Sequence, residues 1–136
     1  MTFQKNDGGM VEAGFKKPKS DCVVRAIAIA TETPYMTIHD MINEIAGHNM
    51  ARSGNGVEKK VYNALMKELG WTWVATMLVG SGCKVHLKAD ELPSGRLVVR
   101  VSKHLTAVVD GVIHDLANCS RGGTRAVYGY FIKESK

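Results

Sequence analysis

Hydrophobic positions along the chain change period once, from about 3.6 to about 2, dividing it into a helical half and a strand half. Residues 1–20 show no periodicity, carry Gly, Lys and Asn, and read as a loop-rich lead-in. Ser20-Asp21 supplies N-cap side chains. Cys22-Val23-Val24-Arg25-Ala26-Ile27-Ala28-Ile29-Ala30 follows, with Arg25 its only polar residue. A helix apolar on nearly every side must be buried on nearly every side. A strand competes for so short a run, but the alanines and the cap favour a helix, which Cys22 opens. Pro34 starts a second helix with the stripe Tyr35, Ile38, Met41, Ile42, Ile45, closed by Gly47. After the Ser53-Gly54-Asn55-Gly56 loop, Val57, Val61, Leu65 and Leu69 recur at helical spacing until Gly70.

From Trp71 the alternation is that of strands. Trp71-Thr72-Trp73-Val74-Ala75-Thr76-Met77 is rich in aromatic and β-branched residues. Gly80-Ser81-Gly82 breaks it, and residues 83–95 form an irregular connection ending at Pro93-Ser94-Gly95. Residues 96–101 and 104–109 read as two strands. Asp110-Gly111 is a strong hairpin-turn pair, after which residues 112–116 return antiparallel. Residues 126–132 close the sheet beyond the Cys119-Ser120-Arg121-Gly122-Gly123 loop. Helices first and an antiparallel sheet second make an α+β layout. With 136 residues and no internal repeat, a single domain over 1–136 is expected.

Composition narrows the function classes. Hydrophobic residues at 45% and charged residues at 23% are ordinary for a globular chain with a proper core. No apolar run reaches the roughly 20 residues of a membrane span. The first residues have no apolar signal core, so a cytoplasmic location is expected. Cysteines at 22, 83 and 119 are odd in number and argue against a disulfide scaffold. Each is then a small buried hydrophobe, a metal ligand or a nucleophile. The net charge of +5 permits nucleic-acid or acidic-protein contact without requiring it. The densest basic cluster, Lys16-Lys17-Pro18-Lys19, reads as a solvated loop.

Hairpin register brings the chemistry together. A two-residue Asp110-Gly111 turn pairs Val109 with Val112, Val108 with Ile113 and Thr106 with Asp115. His104, Thr106, Val108, Ile113 and Asp115 then share one face, and His114 points the other way. The β-carbons of His104 and Asp115 are diagonal neighbours roughly 7 Å apart, close enough for their polar atoms to bond. Asp115 would orient the imidazole and stabilise its charged form. Cys22, at a helix N-terminus, feels the positive end of the dipole, which lowers a thiol pKa. Cys22 as nucleophile, His104 as general base and acid, and the Cys22 backbone N–H as first oxyanion donor form a complete mechanism. Core packing is the competing role for Cys22, a surface role for His104, and Asp110 is better used as the turn residue.

The order of elements from about Ser20 to Phe131 resembles the papain-like cysteine-peptidase fold, in which a nucleophilic cysteine starts a central helix. His104-x-x-Ala107-Val108-x-Asp110-Gly111-x-x-x-Asp115 is similar to the His–Asp hairpin of bacteriocin-processing and related compact members. Stretches 21–31, 69–73, 80–87, 90–97 and 120–125 resemble an uncharacterised family of short bacteriophage and prophage proteins. The resemblance implies a thiol hydrolase acting on a protein or peptide, with a host factor as one such partner. It also implies an amide side chain upstream of the cysteine to complete the oxyanion hole. The residues from Phe15 to Asp21 hold none, leaving Gln4, Asn6 or Lys19 as candidates.

Other motifs have weaker chemistry. Cys83-x-x-His86 and His114-x-x-x-x-Cys119 carry zinc-ligand residue types, but a site requires both pairs to converge, and no metal or cofactor is expected. Ser120-Arg121-Gly122-Gly123-Thr124-Arg125 offers an anion-binding loop through its N–H groups, Arg121 and Arg125, against a plain surface loop. Trp71 and Trp73 share a face, with core packing the default. The leading function is a peptidase, isopeptidase, deamidase or acyl transferase working through Cys22. The alternative is a catalytically inactive papain-like binding module acting on a host or defence factor, and a third class is a basic nucleic-acid-associated protein.

Overall fold

A computed structural model describes residues 1–77, 82 and 84–133. At its centre Asp110 and Gly111 both adopt positive φ, 47° and 79°, as the tight primed turn of a two-residue hairpin requires. The strands on either side, β4 (His104–Val109) and β5 (Val112–Asp115), pair Val109 with Val112, Val108 with Ile113 and Ala107 with His114. That is the register expected from the turn. A second tight turn at Ser102-Lys103 joins β4 to β3 (Arg96–Val101), with Val101 opposite His104.

β6 (Gly129–Lys133) lies antiparallel to β3, and β2 (Trp71–Ala75) antiparallel to β6. The Trp73 ring lies where a Cβ on Gly129 would be and packs 4.9 Å from Phe131, so only glycine fits at 129. The other edge corrects the sequence reading. β1 (Thr2–Lys5), inside the expected loop-rich lead-in, runs parallel to β5 with Lys5 opposite Asp115. The result is an α+β chain with a six-stranded mixed sheet, ordered β1-β5-β4-β3-β6-β2, rather than a purely antiparallel one. An exposed strand of mixed polarity has no periodic signal strong enough to announce itself. Its partner, the open edge of β5, is remote in sequence.

Three helices cover one face: α1 (Cys22–Thr31), α2 (Tyr35–Ala46) and α3 (Lys59–Glu68). α1 lies against β4 and β3, and Val24 and Ile27 have no exposed surface. Burial of each such side chain contributes about 2 kcal/mol. Ile38 and Ile42 of α2 and Leu65 of α3 join them over Val98, Ala107 and Phe131. The opposite face packs Leu97, Val99, Val108 and Ile113 under Leu87 and Val127. The expected α2 stripe is present, although α2 begins at Tyr35 with Pro34 as N-cap, and α3 begins at Lys59, two residues past Val57. Among the described residues, no helix is long and apolar enough to cross a membrane.

Candidate active site

Arg96, the first residue of β3, sets the position of α1. Its Nε donates to the Ala30 carbonyl at 2.9 Å and its Nη2 to that of Ile29 at 2.7 Å. Both carbonyls lie in the last turn, at the negative end of the helix, and that of Ile29 also accepts from the Glu32 N–H at 3.3 Å. A ten-residue helix is roughly 14 Å long and a six-residue strand roughly 17 Å. With its C-terminus clamped where β3 begins, α1 starts where β3 ends and β4 begins. Cys22 and His104 therefore meet at one end of the sheet.

There Cys22, His104 and Leu105 line one hollow, and the imidazole and the Leu105 N–H both act on the Cys22 sulfur to lower its pKa. His104 Nε2 lies 2.7 Å from Asp115 Oδ2. With Nε2 committed to the carboxylate, Nδ1 is the ring nitrogen left for a thiol. Asp21 precedes Cys22 but makes no side-chain cap, contrary to the expected N-cap role. Its fully buried carboxylate instead accepts from Arg25 Nε (3.1 Å), Tyr35 Oη (2.6 Å) and Arg52 Nη1 (2.9 Å). No cap side chain covers the positive end of α1 at the sulfur.

Burial alone would push the Cys22 thiol up. The His104 hydrogen bond, the Leu105 N–H, and the charges of His104 and Arg25 overcome it and hold the thiol below its usual value. Burial likewise disfavours the His104 cation, yet the Asp115 carboxylate and the neighbouring thiols push its pKa up to about 11. Burial would raise Asp115 too, but the hydrogen bond and charge of His104 and the Leu116 N–H hold it low. Arg25 Nη1 donates to the other carboxylate oxygen at 3.2 Å. An imidazolium beside a thiol of lowered pKa is the electrostatic state of an activated sulfur nucleophile.

The hollow at Cys22 has a volume of about 340 Å³ and is lined also by His104, Leu105, Asn55, Lys59, Tyr62, Arg100 and Lys103. A second, of about 440 Å³, lies on the Asp115 side of His104, with Lys103, Cys119, Arg121 and Arg125 in its walls. A larger cavity, about 580 Å³, is elsewhere, among Asn6, Gly8, Gly9, Arg96 and His114. Gly8 reaches it by lying directly on α1, where a Cβ would come 3.0 Å from the Arg25 carbonyl oxygen.

Cys22, His104 and Asp115 are thus brought together, whereas Gln4, Asn6 and Lys19 are not. Gln4 pairs with His114 across β1 and β5 and bonds the Lys5 carbonyl at 3.3 Å. Asn6 Nδ2 reaches His114 Nδ1 at 3.3 Å, on the face turned away from Asp115. Lys19 is exposed, and its backbone N–H goes to Asp21. None of the three lines the Cys22 hollow, because capture of β1 by β5 carries the first residues to the sheet edge.

The anion-loop reading also changes. The N–H groups of Gly123, Thr124 and Arg125 are bonded to the carbonyls of Ser120 and Arg121, so these three are already used within the loop. Arg125 grips the Ser102 carbonyl at 2.6 Å, and Arg121 is exposed. His114 cannot join Cys119 around a metal, since alternation turns it to the other face, and Cys83 lies outside the described residues.

Cys119 instead joins His104 and Asp115, with donor atoms all within 4.8 Å of one another. Their residue types suit zinc. However, Nε2 and Oδ2 at 2.7 Å are closer than the roughly 3.4 Å separating two ligands across a tetrahedral ion. The contact is that of a charge-assisted hydrogen bond. Arg25, the Leu105 N–H and Asn55 are further polar groups beside the site that pattern reading passes over. Only Arg25 leaves a signal, as the lone charge of α1 placed four residues after Asp21. No protein-family model matches this chain, and no curated protein or solved structure does so.

Proposed function

We propose that the chain is a thiol hydrolase of papain-like fold, with Cys22 as nucleophile, His104 as general acid and base, and Asp115 as the carboxylate that orients it. The observation carrying this reading is the imidazole of His104, held at 2.7 Å by Asp115 and lining one hollow with a sulfur at the start of a buried helix. The helix-then-sheet order around it agrees with the papain-like layout. Cys22 Sγ attacks a carbonyl carbon to form a tetrahedral oxyanion. The Cys22 N–H and the side-chain amide of Asn55, from the wall of the same hollow, are its proposed donors. His104 passes its proton to the leaving amine as the C–N bond breaks, leaving a thioester. Water, deprotonated by His104, then releases the acid and restores the thiol. The resemblance to short phage proteins makes a host protein or peptide the expected target.

Iodoacetamide labelling of Cys22, read by peptide mass spectrometry across pH, tests the proposal. A free thiol is roughly 0.3% ionised at pH 6. Cys22 is expected to alkylate there at least about 10-fold faster than a model thiol, even though a low-pKa thiolate is intrinsically less nucleophilic. His104→Ala should reduce it to the model rate. If Cys22 labels slowly and Cys22→Ala keeps its biological effect, the chain is a non-catalytic binding module instead.

A further inference from the structure

Besides Arg25, five cations stand around the two hollows beside His104, without acidic partners among the described residues. Lys59, Arg100 and Lys103 stand on the Cys22 side, and Arg121 and Arg125 on the Asp115 side. Among the described residues none of these five makes an ion pair. Among the described residues Asp115 is the only carboxylate lining either hollow, and it already accepts from His104 and Arg25. The chain is not short of acids, with 13 in all, but they stand elsewhere. Glu12 and Glu32 line the cavity at the far end of α1, and Glu44 and Glu68 lie between α2 and α3.

Two of the cations are also held in place. Arg125 is fixed by the carbonyls of Ser102 and Cys119, and its buried Nε has no partner. Arg100 lies over the Tyr128 ring at 5.5 Å. The lysine-rich segment 16–19 adds to the same side. Arg52 ties the Lys17 carbonyl at 2.6 Å, and Ser20 bonds Gly54, next to Asn55 in the wall of the hollow. Collecting like charges around one cleft costs self-repulsion and raises the local concentration of anions.

Resting on the thiol-hydrolase reading above, we infer that the acyl substrate of Cys22 is an acidic peptide. Its carboxylate side chains flank the attacked carbonyl, against Lys59, Arg100 and Lys103 on one side and Arg121 and Arg125 on the other. Neutral and basic peptides are poor substrates, and salt weakens the preference.

Two reagents that differ only in charge separate this inference from its foundation. Iodoacetate and iodoacetamide each transfer their carbon to the sulfur and release iodide. The ratio of their rates at Cys22, near pH 7 and low salt, is expected to exceed that of N-acetylcysteine amide by about 10-fold. It should fall toward the model ratio at high salt, where the Debye length shrinks to a few ångströms, and also in Lys59→Gln/Lys103→Gln. Fast labelling by iodoacetamide without a raised ratio overturns the acidic-substrate inference and leaves the reactive thiol standing. Slow labelling by both reagents overturns the two together. In a peptide library, cleavage enriched for Asp or Glu near the scissile bond supports the inference, and enrichment for Lys or Arg overturns it. Protection of Cys22 by single-stranded DNA but not by polyglutamate at physiological salt would transfer the basic cleft to nucleic acid.

Discussion

His104 and His114 stand on directly paired strands of one hairpin, yet they occupy opposite electrostatic worlds. Burial opposes the charge of both. His104 faces Asp115, and its pKa is pushed up to about 11. His114 faces Asn6, and burial together with the positive charge of Arg96 depresses it. The sign of the nearest fixed charge decides the outcome, and parity along the strand decides which charge is nearest. At neutral pH one ring is an imidazolium and the other a neutral imidazole. The neutral ring borders a larger cavity than the charged ring, so the more spacious hollow is not the one at the Cys22 thiol.

The largest way to break this contrast is Arg25→Met. Asp21 and Asp115, both buried, would each lose the guanidinium that bridges them. Leaving buried charge without its partner should cost about 3 kcal/mol, seen as a drop in melting temperature on the order of 10 °C. An unchanged melting curve would mean that the bridge contributes nothing net.

Asp115→Asn is the next test. It keeps the shape but removes the charge, so the His104 pKa should fall toward its ordinary value. The Cys22 alkylation profile should then move to higher pH, with the pH 6 rate reduced about tenfold, a shift worth roughly one pKa unit. The sign for stability follows from the raised pKa. With Asp115 ionised, the ion pair stabilises fully below the unfolded His value of 6.5 and is lost as pH rises through about 11. The urea-midpoint gap between the wild type and Asp115→Asn should therefore narrow on the alkaline side. A gap that widens there contradicts the assignment.

His114→Gln sharpens the contrast with the smallest effect. It exchanges one neutral hydrogen-bonding group for another beside Asn6, so stability should change by less than about 1 kcal/mol. The Cys22 labelling profile should stay the same. A shifted profile would show that the two faces of the hairpin are coupled.

How much was legible varies with the range of the interaction. The β4–β5 register could be read because Asp110-Gly111 admits one tight turn and alternation then places every side chain. Cys22, His104 and Asp115 follow from that register and the start of α1. The upstream partner was not legible, because nothing local in residues 1–6 reveals that β5 will recruit them as a parallel strand. Asp21 misled for a related reason. Its type suits a cap, but Arg25, Tyr35 and Arg52 compete for its oxygens and win. Asn55 enters the Cys22 hollow only because the loop at 53–56 folds over the start of α1.

By itself the sequence determined the helices, the hairpin and the face that His104 shares with Asp115, since periodicity and turn chemistry act over a few residues. Only the tertiary structure decided that Arg96 clamps α1 with its thiol at the His104 end, that β1 leaves the site, and that five cations, none in an ion pair among the described residues, gather there. Those outcomes depend on contacts between segments tens of residues apart. Such contacts are selected by burial and charge balance over the whole fold, and no local pattern encodes them.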